Sequence, residues 1–89
     1  GARFAALQSH QGLGLSLLDA GEIDRGVASL RRAIVDGQAF LERTPTNDTA
    51  RYQVALVRLQ LGETLIQAGK RREGCREVRA GMEIWRELT

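Results

Sequence analysis

Histidine, cysteine, proline, methionine, tryptophan and tyrosine each occur once in these 89 residues, and phenylalanine twice. Each scarcity closes off something. One cysteine permits neither an internal disulfide framework nor a cysteine-rich zinc site. Such usage fits a reducing compartment, and a cytoplasmic location is expected. One histidine, His10, has no second histidine or cysteine at ligand spacing, so a structural role is expected and no metal or cofactor site. No apolar run approaches the roughly 18 residues that cross a bilayer, and no signal-peptide pattern opens the chain. Charge of one sign is also missing, since 13 basic residues nearly balance 11 acidic ones and leave a net charge of +2. With few aromatics to stack bases, neither nucleic acid nor membrane is expected as a partner. The length is that of one small domain, at which a single core is only marginally sufficient. The chain opens at Gly1 without a methionine, and is expected to be a portion of a longer protein.

What the chain does have is ten glycines, placed with a regularity that organises everything else. Leu13-Gly14, Leu17 and Ala20-Gly21 recur 48 residues later as Leu61-Gly62, Leu65 and Ala68-Gly69. Gly26 recurs as Gly74, Arg31 as Arg79, and Ala2-Arg3 as Ala50-Arg51. Similar pairs lie between: Phe4 with Tyr52, Leu18 with Ile66, Leu30 with Val78, Ile34 with Met82. The chain is two copies of one unit, about 1–47 and 48–89, and units of this size stack side by side.

Periodicity makes each unit a pair of helices. Ile23, Val27, Leu30, Ile34 and Leu41, with Gly37 filling the gap, fall at alternating steps of four and three. That stripe fits a helix over Asp24 to Leu41 and excludes a strand, whose period is two. Cys75, Val78, Met82 and Trp85 repeat the design in the last segment, which makes Cys75 a core-facing position. A first helix is expected over about Ala2 to Ala20, and a third over about Asp48 to Ala68. The third is apolar on most sides, so it is either sandwiched among neighbours or presents an interaction face. Gly21 and Gly69 can each take the left-handed conformation that ends a helix. Thr44-Pro45-Thr46-Asn47-Asp48 links the copies, with Asn47 or Asp48 as the next helix cap. The fold class is therefore all-α: four helices forming two stacked long hairpins.

A Leu-Gly pair, a large apolar residue three positions on, a turn glycine, then a small residue flanked by helix resembles the tetratricopeptide repeat. Leu13-Gly14, Leu17, Gly21, Gly26, Leu30 and Ala33 carry the pattern in the first copy. Leu61-Gly62, Leu65, Gly69, Gly74, Val78 and Gly81 carry it in the second. A glycine inside a helix costs roughly 1 kcal/mol relative to alanine, so its recurrence at matched places points to a packing need. The usual repeat has about 34 residues. The surplus here divides as about two extra turns, roughly 10 Å, on each arm. Long-armed variants of this kind resemble segments of large bacterial signalling proteins, some appended to eukaryotic-like serine/threonine kinase domains. The resemblance implies a right-handed stack acting as a non-catalytic protein-binding module.

Nothing in the sequence itself supplies chemistry. Gly12-Leu13-Gly14 lacks the third glycine and preceding strand of a nucleotide loop, and no kinase motif is present. Lys70-Arg71-Arg72 is interleaved downstream with Glu73, Glu77, Glu83 and Glu87, which reads as a solvated mixed-charge face. The resemblance places a peptide groove along the first helix of each hairpin, with Gln8, Gln11, Leu15, Leu56, Leu59 and Glu63 as candidates. Their mixed polar and apolar character does not match the basic clamp with which some family members hold a terminal carboxylate. Trp85 aligns with Gly37; it either caps the core of a terminal repeat or covers a surface for a neighbouring repeat or second subunit. Two copies alone leave an open end, so self-association, or packing against the rest of a longer parent protein, is the expected remedy.

Overall fold

Helix signals and helix stops alternate along the chain in the order the periodicity requires, and a computed structural model describes residues 2–89 accordingly. Four α-helices follow one another: α1 Ala2–Asp19, α2 Ile23–Arg43, α3 Asp48–Gln67 and α4 Arg71–Leu88. The described residues contain no strand. Helix α1 packs on α2, α2 on α3, and α3 on α4, giving a stack measuring 34 × 26 × 16 Å.

Both hairpin turns are built the same way. Gly21 and Gly69 take φ of 82° and 87°, the left-handed region that only glycine enters without strain. In the first, Gly21 N–H donates to Leu18 O at 3.0 Å and Glu22 N–H to Leu17 O at 2.9 Å. In the second, Gly69 N–H donates to Ile66 O at 3.0 Å and Lys70 N–H to Leu65 O at 2.8 Å. This paired bonding satisfies carbonyls that the helix end would leave orphaned. The linker turns differently. Thr44 N–H closes α2 onto Phe40 O, and Asn47, rather than Asp48, caps α3 by accepting from Ala50 N–H at 2.9 Å.

The glycines inside the helices explain how each hairpin closes. A Cβ on Gly62 would stand 2.7 Å from Gly74 O, and one on Gly74 would stand 2.6 Å from Gly62 O. Gly14 and Gly26 face each other likewise, with 3.2 and 3.1 Å to the opposite carbonyl. The two helices of a hairpin thus touch backbone to backbone at matched places, which no larger residue allows.

The core is shared between hairpins. Leu7, Leu30, Ala33, Ile34, Val54, Val57, Leu61 and Leu65 form one buried cluster. Helix α3 is the sandwiched element, burying Ala50, Val54, Ala55, Val57, Leu61, Gly62 and Leu65. Where α2 meets α3, Gly37 lies so close that an added Cβ would be 2.5 Å from Val54 and 2.6 Å from Leu7.

The last helix departs from the expected stripe. Cys75 is exposed, Met82 is 47% and Trp85 38% exposed, and the buried residues of α4 are Gly74 and Gly81. The reason is position in the stack. Helix α2 has α1 on one side and α3 on the other, so its small residues and most of its apolar stripe are covered, with Ile23 at the helix start left 40% exposed. Helix α4 packs chiefly on α3, to which it turns its glycines and half-buried Val78, so that Cys75, Met82 and Trp85 of the stripe are left exposed. Cys75 therefore corresponds to half-buried Val27 in sequence but not in surroundings.

Candidate interaction surfaces

Polar contacts across the hairpins fix which side chains remain free. On α1, His10 Nδ1 lies 2.8 Å from Asp36 Oδ2 of α2, and Arg3 adds a looser contact at 3.7 Å. The Asp36 side chain is only 6% exposed, so these partners answer the cost of burying a carboxylate. Ser29 sits beside this pair, but its hydroxyl donates to the His10 backbone carbonyl at 2.7 Å. Serine, histidine and aspartate are therefore neighbours without the relay a nucleophile needs.

The second hairpin carries a different solution at matched positions. Arg58 and Glu77, offset by 48 from His10 and Ser29, form an ion pair at 2.7 Å, with side chains 17% and 20% exposed. This pair ties α3 to α4 beneath α2. Arg31 of α2 reaches over to Glu73 of α4 at 3.1 Å, bridging the hairpins at the surface. The His10–Asp36 pairing escaped the sequence reading because Asp36 aligns with Ile84, so the repeat gives no echo of it. The signal available was a charge between Ala33 and Gly37 on the side of α2 that must be covered.

The candidate groove residues are distributed as follows. Gln8 and Glu63 are exposed, and Gln11, Leu15, Leu56 and Leu59 are half-buried. Gln11 donates to Gln60 Oε1 at 2.9 Å, which joins α1 to α3 directly. Leu15 packs against the core cluster. Leu59 lies against Gly81, 3.1 Å from where a Cβ would stand there, so it closes the second hairpin. The freest members along this side are thus Gln8 and Glu63.

Two other surfaces carry exposed apolar side chains. At one end of the stack, Trp85 of α4 packs on Tyr52 of α3 with ring centroids 5.1 Å apart, and Tyr52 is 40% exposed. Met82 lies one turn before Trp85. At the other end, Leu13 is 52% exposed and shares a shallow depression with Leu17, His10, Ser29, Arg25 and Arg32. Among the described residues no group of three His, Cys, Asp or Glu side chains is placed to hold a metal ion. Nor, among the described residues, is any helix long and apolar enough to cross a membrane. Comparison with protein-family models, with curated proteins and with solved structures found no match to this chain.

Proposed function

We propose that this chain is a non-catalytic protein–protein interaction module of tetratricopeptide type. It would serve as a scaffold or regulatory segment of a larger cytoplasmic bacterial signalling protein such as a Ser/Thr kinase. The supporting observation is the duplicated hairpin itself: the same glycine contact and the same helix end, each repeated at an offset of 48 residues. A frame so closely packed offers its partner a preorganised surface, which lowers the ordering cost of binding. The partner is a protein or peptide laid along α1 and α3, with Gln8, Leu56 and Glu63 as its contacts.

A photo-crosslinking residue at position 8 or 63 tests this in cells. The expected result is one crosslinked protein whose purified form loses affinity by about fivefold or more with Glu63→Lys, as for an ordinary interface contact. Crosslinks absent from both positions refute the groove. The exposed Tyr52–Trp85 pair and Met82 favour the homodimerisation form of a second reading, a structural homodimerisation or spacer domain. Light scattering would then show a concentration-dependent dimer that Trp85→Ala returns to monomer. A monomer at every concentration removes that reading.

A further inference from the structure

The glutamates interleaved with arginines along α4 do not share one face once the helix is packed. Glu77 pairs with Arg58 of α3 at 2.7 Å, Glu87 with Arg51 of α3 at 2.8 Å, and Glu73 with Arg31 of α2 at 3.1 Å. Of the acids of α4, only Glu83 has no such partner among the described residues. Arg72, Arg76, Arg79 and Arg86 are exposed, and among the described residues none of them makes an ion pair. At about 3.6 residues per turn these arginines and Glu83 fall in one strip, roughly 21 Å long. The fold thus sorts a run of mixed charge into a cationic outer strip that Glu83 alone interrupts.

The exposure of this strip does not depend on whether another helix stacks on α4. Its counterparts in α2, 48 residues earlier, are Asp24, Ala28, Arg31, Val35 and Gln38. All of them are exposed, although α2 packs on both α1 and α3. A helix laid on α4 as α3 lies on α2 would therefore leave the arginines open.

Charge and spacing select the occupant. The strip holds no aromatic ring on which a base could stack and no apolar side chain to enter a lipid layer. Glu83 lies within it and repels a continuous row of phosphates or anionic headgroups. Carboxylates at i, i+4, i+7 and i+14 of a second helix have the arginines' own spacing and need not face Glu83. We infer that the outer face of α4 docks an acidic α-helix of another protein, its carboxylates opposite Arg72, Arg76, Arg79 and Arg86. This face is separate from the α1–α3 groove, and its test does not depend on that groove.

The probe is an alanine-based helical peptide with glutamate at i, i+4, i+7 and i+14, titrated into the full chain at low salt and followed by amide NMR shifts. Shifts should cluster from Arg72 to Arg86 and shrink as salt is raised. Arg76→Gln/Arg79→Gln should weaken binding by about tenfold, the scale of two exposed charge pairs, with the melting temperature unchanged. Arg32→Gln/Arg43→Gln removes the same charge from exposed positions on α2 and should leave the affinity intact. No binding, an equal loss in both double variants, or shifts centred off α4 overturns the inference. So does tighter binding to α4 of a thymidine pentanucleotide, which carries the same number of charges as the peptide, or of phosphatidylserine vesicles. The occupant would then be nucleic acid or membrane.

Discussion

Replacing glycine by alanine should have opposite signs at two places in this molecule, and the difference measures how closely the helices touch. Gly12 lies on the exposed side of α1, and nothing stands within 4 Å of where its Cβ would be. Gly12→Ala should therefore gain only helix propensity, about 1 kcal/mol. Gly74 has the same helical setting, but its Cβ would meet Gly62 O at 2.6 Å and Ile66 N at 2.9 Å. These are backbone atoms, so α3 and α4 must separate to admit the methyl. Overpacking of this kind costs about 1–3 kcal/mol. Taking the upper figure and subtracting the propensity gain leaves a net loss of about 2 kcal/mol. For a domain of this size each kcal/mol shifts the melting temperature by about 4–8 °C. Thermal unfolding followed by circular dichroism should show Gly12→Ala melting several degrees higher than the parent, and Gly74→Ala roughly 8–16 °C lower. Gly26→Ala should fall between them, because its closest contacts are to the Leu18 side chain, which can rotate away, and only then to Gly14 O at 3.1 Å. A Gly74→Ala chain that melts at or above the parent would refute the backbone contact and with it the hairpin geometry.

Two further outcomes follow from the polar contacts. His10→Ala should lower stability by about 1–3 kcal/mol, because it strips buried Asp36 of its 2.8 Å partner. The double variant His10→Leu/Asp36→Ile should recover most of that loss in urea unfolding, and failure to recover would mean that the pair is not the source. Asn47→Ala should cost about 1 kcal/mol through the lost cap on α3, and an unchanged urea midpoint would show that the cap contributes nothing.

The glycines made most of this architecture legible. Gly14 with Gly26 and Gly62 with Gly74 are required by geometry in both copies, so the requirement appears twice in the sequence at one offset. Gly21 and Gly69 mark the turns for the same reason. The outward stripe of α4 was not legible, because its exposure depends on having a helix on one side only. The spacing in α4 does not record that: Cys75, Met82 and Trp85 fall where buried positions would. Trp85 in place of Gly37 was the one hint, since a residue that large cannot sit where another helix presses. The His10–Asp36 contact was hidden because it has no counterpart in the second copy. Of the groove positions, Leu59 could be placed only by the structure, which turns it toward Gly81.

Each helix here leans chiefly on the helix before and after it in the chain. Mechanical tension applied at the two ends would therefore load chiefly the interfaces between consecutive helices. Assemblies with that nearest-neighbour connectivity lose and regain structure piecewise. A stack of this kind gives way to load in steps rather than all at once.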